Sequence, residues 1–116
     1  MEEKISKAFE VANYMATLST QRRIILEELN QKLVHYVNGG TFKITPELIT
    51  FTKTLLDLGQ ESDVVFVDAN NMPVVVASVQ DFFDTIVSTY FEAINEYSAK
   101  YNEIKSKRKV EGLVSL

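Results

Sequence analysis

The sequence predicts an α+β fold, mostly helical: two long terminal helices packed antiparallel, with a small head of one short helix and a three-stranded antiparallel sheet. Three observations predict it. Residues 2–38 and 79–109 contain neither Gly nor Pro and repeat apolar residues at three- and four-residue steps. Both prolines fall between these segments, at Pro46 and Pro73. The stretch DVVFVDANNMPVVVAS, residues 63–78, is two runs rich in β-branched residues hinged at Asn70-Asn71, the pattern of a β-hairpin.

The first helix is expected over residues 2–38, with Ile5, Ala8, Ala12 and Met15, then Leu26, Leu29, Leu33 and Tyr36, on one stripe. Phe9 and Ile25 widen that stripe. Ser19 and Arg22 interrupt it, so Ser19 or Thr20 could instead cap a second helix. The Asn38-Gly39-Gly40 run reads as the stop, because glycine closes a helix in left-handed geometry without steric cost.

Residues 41–78 form the expected head. TFKIT alternates, with Phe42 and Ile44 on one face, and reads as the third strand. Thr45-Pro46-Glu47 starts a helix: a hydroxyl cap, a proline where no amide hydrogen is needed, and an acid near the positive end. Leu48, Phe51, Leu55 and Leu58 mark its inner side and Gly59 its end. The hairpin follows, its consecutive apolar residues implying some cover on both faces. Ser78 caps the last helix with Asp81 three residues on. That helix is expected over 79–109, with Phe83, Ile86, Val87, Tyr90, Ile94, Tyr97, Tyr101 and Ile104 on one stripe and Phe82 and Phe91 outside it, leaving 110–116 as a tail.

With 116 residues, one domain spanning 1–116 is expected, large enough to bury a core without staples. The absence of cysteine excludes disulfides, thiolate nucleophiles and sulfur-ligated zinc. No apolar run reaches the roughly 20 residues that span a bilayer, and the acidic start MEEKISKAFEVANYM carries no export signal, so a cytoplasmic protein without membrane contact is expected. A net charge of -4 opposes general attraction to phosphate backbones.

Sites for chemistry are sparse. His35 is the only histidine and has neither a Cys nor a Gly-x-Ser-x-Gly nucleophile to serve, so it reads as an end-of-helix side chain. The carboxylate pairs Asp81/Asp84, Glu92/Glu96 and Asp63/Asp68 complete no ligand set, and DANNMP lacks the glycine and closing glutamate of a calcium loop. No glycine motif cradles a phosphate. No cofactor, no metal and no catalysis are therefore expected.

What remains is binding. Helices with stripes this broad pack on more than one neighbour, and a second copy is the simplest supplier. Phe83, Tyr90, Ile94, Tyr97 and Tyr101 are the candidate partner or oligomer interface, since tyrosine buries area while keeping a hydroxyl for its surroundings. The expected function is a non-enzymatic interaction or assembly protein, a scaffold or chaperone-like accessory factor like many small phage and microbial proteins, working as a homo-oligomer and with another protein. The alternative is a nucleic-acid accessory protein that grips phosphates with Lys105, Lys107, Arg108 and Lys109 of KSKRK. The same bases also suit the negative end of a helix dipole. The helix, small sheet, helix order resembles prefoldin-type chaperones in outline, from which the short helix before the hairpin departs; the resemblance implies an assembly role.

Overall fold

The computed structural model describes the backbone of residues 2–115 and the side chains of residues 4–106. In chain order the elements are α1 (Glu2–Lys32), β1 (Val34–Val37), β2 (Gly40–Lys43), α2 (Pro46–Asp57), β3 (Ser62–Val67), β4 (Pro73–Ser78) and α3 (Val79–Ser115). The fold is α+β and mostly helical. Two compact units divide the chain: Met1–Leu29 with Asn95–Leu116, and Asn30–Ile94.

In the second unit, two antiparallel hairpins replace the expected three-stranded sheet: β1 pairs with β2, and β3 with β4. The helix expected to reach residue 38 stops at Lys32, because Val34-His35-Tyr36-Val37 is itself a strand. Asn38 and Gly39, at φ 47° and 78°, make the two-residue turn to Gly40. Positive φ at both central positions matches the right-handed twist of the flanking strands, and Asn-Gly is the pair that adopts it most readily. The glycine pair thus turns a hairpin rather than ending a helix. TFKIT consequently finds its partner in VHYV, with His35 opposite Phe42 and Tyr36 opposite Thr41.

Helix α2 forms as its signals require. The Thr45 hydroxyl accepts from the Leu48 N–H at 3.1 Å. Gly59, at φ 79°, closes the other end, with Gln60 N–H donating to the Leu55 carbonyl and Gly59 N–H to Leu56. The buried side chain is Thr52, however, while Phe51 and Leu58 are exposed. Thr52 tolerates full burial because its hydroxyl donates to the Leu48 carbonyl at 2.7 Å.

The second hairpin has Val64 opposite Val76 and Phe66 opposite Val74. Alternation puts Phe66, Val74 and Val76 inside and leaves Val65, Val67 and Val75 exposed, so only one face is covered. Asn38 ties the hairpins together, its side-chain amide donating to the Val75 carbonyl at 2.7 Å. Phe42, Ile44, Val79, Phe82 and Ile86 complete the core of this unit. Phe82, expected outside the main stripe, lies inside, and Phe83 is half-buried.

In the first unit, α1 and α3 run antiparallel: Glu28 meets Lys100 at 2.7 Å, while Leu18 and Ile25 cluster with Ile104 and are flanked by Tyr14 and Tyr97. Helix α1 is unbroken at Ser19-Thr20. The Thr20 hydroxyl donates back to the Ala16 carbonyl at 3.0 Å, and Thr17 to Asn13 at 2.9 Å, so the hydroxyls serve the helix instead of capping a new one. Helix α3 continues through Ser115, past the tail expected from residue 110; a single Gly112 costs about 1 kcal/mol in a helix interior and does not force a stop.

Candidate functional site

His35 stands in β1, not at a helix end, half-buried with its ring 5.7 Å from that of Phe82. It lines an open cavity of about 240 Å³ together with Asn38, Ser78, Asp81 and Thr85. The Ser78 hydroxyl is engaged as the α3 cap, accepting from the Asp81 N–H at 3.2 Å. Among the described residues, no group of three or more His, Cys, Asp or Glu is placed to hold a metal ion.

Asp68, the start of the calcium-like DANNMP, is a brace. Its buried carboxylate accepts from the backbone N–H of Thr41, Asn70 and Met72, each at 2.9 Å, and the Ala69 N–H donates to the Thr41 carbonyl at 2.8 Å. One side chain thus closes its own loop and pins that loop to the first hairpin. The donors hold its carboxyl below the ordinary carboxylate value, Thr41 contributing most and Met72 next, against an opposing contribution from burial. A depressed pKa contributes stability that is present above about pH 4 and is lost as pH falls through the folded value. Asp68→Asn is therefore expected to lower the denaturation midpoint at pH 7 and to flatten the loss between pH 4 and pH 2. Urea titrations across that range measure both.

The five candidate interface residues divide between the units. Phe83, Tyr90 and Ile94 are half-buried in the second, where Tyr90 meets the ring of exposed Phe91 edge-on at 5.7 Å. In the first, Tyr97 flanks the Leu18–Ile25–Ile104 cluster, and Tyr101 lies beneath the Arg22 guanidinium, 5.9 Å from its ring centre. Lys100 bridges Glu28 and Glu96 at 2.7 and 3.0 Å; those contacts, Glu28 first, raise its pKa and keep it charged. Lys105 is exposed on α3, while the side chains of Lys107, Arg108 and Lys109 lie outside the described residues.

Other apolar side chains are left uncovered elsewhere. In the first unit, Ile5, Phe9 and Met15 of α1 are 56%, 66% and 45% exposed. Its packed face runs through Tyr14, Leu18 and Ile25, so the stripe that periodicity picks out near the N-terminus is left open. In the second unit, Val65, Val67 and Val75 form an apolar sheet face that the consecutive valines disguised. No alternation of apolar and polar residues along 64–67 and 74–76 marks it in the sequence. Among the described residues, no helix is long and apolar enough to cross a membrane. Compared with known protein families, with curated proteins and with solved structures, the chain matches none.

Proposed function

We propose that this protein is a non-enzymatic interaction or assembly factor that works as a homo-oligomer through its long amphipathic helices and receives a further protein partner. The observation that carries this reading is the open apolar face of α1: Ile5 and Phe9 remain exposed after the chain has used the opposite face for its own packing. Large apolar side chains aligned along one helix face are costly to leave in water, and a partner helix is their usual cover.

Sedimentation equilibrium tests it. The expected mass is an integral multiple of 13.2 kDa at micromolar concentration. Tyr97→Ala is expected to weaken association and to lower Tm together, because Tyr97 shapes the packing of α1 on α3 within each copy. A monomer of unchanged mass up to high concentration contradicts the proposal.

A further inference from the structure

In an antiparallel pair, alternate residues turn their backbone N–H and C=O toward the partner strand and the rest turn them outward. The Asp68 N–H bond to the Met72 carbonyl, in register with Phe66–Val74 and Val64–Val76, fixes which residues do which. Val65 and Val67 of β3, like Pro73 and Val75 of β4, therefore point their backbone groups away from the hairpin. On β4 that edge is blocked, because Pro73 has no N–H and the Val75 carbonyl is taken by Asn38. On β2 the Thr41 N–H is taken by Asp68 and its carbonyl by Ala69, and β1 is four residues long. Strand β3 has six residues, and among the described residues nothing bonds the outward groups of Val65 and Val67. Both side chains are exposed, and SDVVFV contains no proline, lysine or arginine to discourage pairing.

A row of free donors and acceptors at this spacing is matched by another extended strand. Strand β3 is itself such a strand, so a two-fold axis at Val65 satisfies two copies at once. Val65 then exchanges both bonds with its counterpart, Val67 lies opposite Asp63, and Phe66 lies opposite Val64. Charge favours the same arrangement. Asp63 is exposed at one end of the strand. At the other end Lys43 is exposed and lines, with Val67 and Phe51, an open cavity of about 340 Å³. Neither Asp63 nor Lys43 makes an ion pair among the described residues, and Glu47 lines the cavity without pairing with Lys43. The antiparallel axis carries Asp63 of each copy to the Lys43 end of the other. A parallel register would set Asp63 beside Asp63.

We infer that the outer edge of β3 is a self-association surface whose occupant is β3 of a second copy of this chain, antiparallel about Val65, joining two hairpins into one four-stranded sheet. The contact is isologous and closes at two copies. It goes beyond the helix-mediated association and lies in the second unit, so either can fail without the other.

The cysteine-free chain makes the test direct. Val65→Cys is expected to form a self-disulfide on mild oxidation at low protein concentration. Directly opposed residues of a bonded antiparallel pair have Cα atoms about 5.5 Å apart, inside the roughly 4.4–6.8 Å that a disulfide spans. Val75→Cys, exposed on the same face but on the blocked strand β4, is expected to stay reduced. Val65→Lys, which sets like charges directly opposite each other, is expected to raise the Kd of self-association at least about 10-fold while leaving circular dichroism unchanged. Lys43→Glu is expected to weaken association, and adding Asp63→Asn, which tolerates the φ of 54° at that residue, to recover most of the loss. An oligomer in which Val65→Cys stays reduced and Val65→Lys changes nothing overturns this surface and leaves the helix-mediated reading standing. Equal cross-linking of Val75→Cys overturns the choice of β3. A monomer at every concentration overturns both readings, including one whose β3 edge is covered by a strand of another protein.

Discussion

Phe82→Ala is expected to lower the unfolding free energy by about 3–5 kcal/mol, the range for removing a fully packed phenylalanine. Phe82 is 4% exposed and holds the second unit together. Its ring centre lies 5.2 Å from Phe42 on the first hairpin, 5.1 Å from Phe66 on the second, and 5.7 Å from His35. Truncation removes the side chain's transfer free energy and leaves a cavity that two rigid hairpins cannot collapse to fill. Aromatic contacts with favourable geometry are lost as well. A fall in Tm of about 10 °C or more should accompany it. Phe82→Leu should recover part of the loss by refilling volume. A cost below about 1 kcal/mol for the alanine variant would mean that Phe82 does not join the hairpins.

Gly40→Ala is the second large effect, at about 1–3 kcal/mol, and its cause is close packing. A Cβ at Gly40 would sit 2.5 Å from Val74 Cγ2, with Val74 Cγ1 at 3.1 Å and Phe42 Cε2 at 3.2 Å. Val74 is 5% exposed and β-branched, so its stiff side chain has little room to retreat. The adjacent Gly39 provides the contrast. A Cβ there meets nothing within 4 Å, but φ is 78°, so Gly39→Ala costs about 1–2 kcal/mol through backbone strain alone. A double-mutant cycle separates the two causes. Val74→Ala should relieve much of the Gly40→Ala penalty and leave that of Gly39→Ala unchanged. Equal coupling in both cycles would contradict the contact.

Much of the architecture is legible where local chemistry and tertiary packing agree. Thr45-Pro46, Gly59 and Ser78 mark helix ends by hydrogen bonds made within a few residues, and the structure uses all three. The first hairpin is hidden for a physical reason. Leu26, Leu29, Leu33 and Tyr36 sustain a helical period into a segment where Val34, Tyr36 and Phe42 also satisfy a strand period, and Asn-Gly serves either outcome. With β1 unseen, β2 had no partner except the other hairpin, and a three-stranded sheet followed. On α3 the expected stripe holds at Ile86 and Ile104, which are buried, and Phe91 is exposed as expected, but Phe82 is buried in place of Phe83. Phe82 and Phe83 are both apolar, and periodicity alone cannot tell which of two adjacent faces is covered. Asp68 was visible as an acid near a turn, but two of its donors come from its own loop and the third from Thr41, 27 residues away. Of the expected α1 stripe, Ile5 and Met15 are exposed, Leu33 is buried and Tyr36 belongs to β1, while the packed face runs through Leu18, which that stripe omits.

The turn that joins the first two strands carries the dipeptide Asn38-Gly39. An asparagine followed by glycine is the dipeptide most prone to lose its side-chain amide, because the unhindered glycine nitrogen can attack the carboxamide carbon and expel ammonia. Here the Asn38 amide is held by the Val75 carbonyl at 2.7 Å, which restrains the side chain away from that trajectory. Hydrolysis of the cyclic product would replace the donor with a carboxylate facing a carbonyl oxygen. The tie between the hairpins would then become a repulsion.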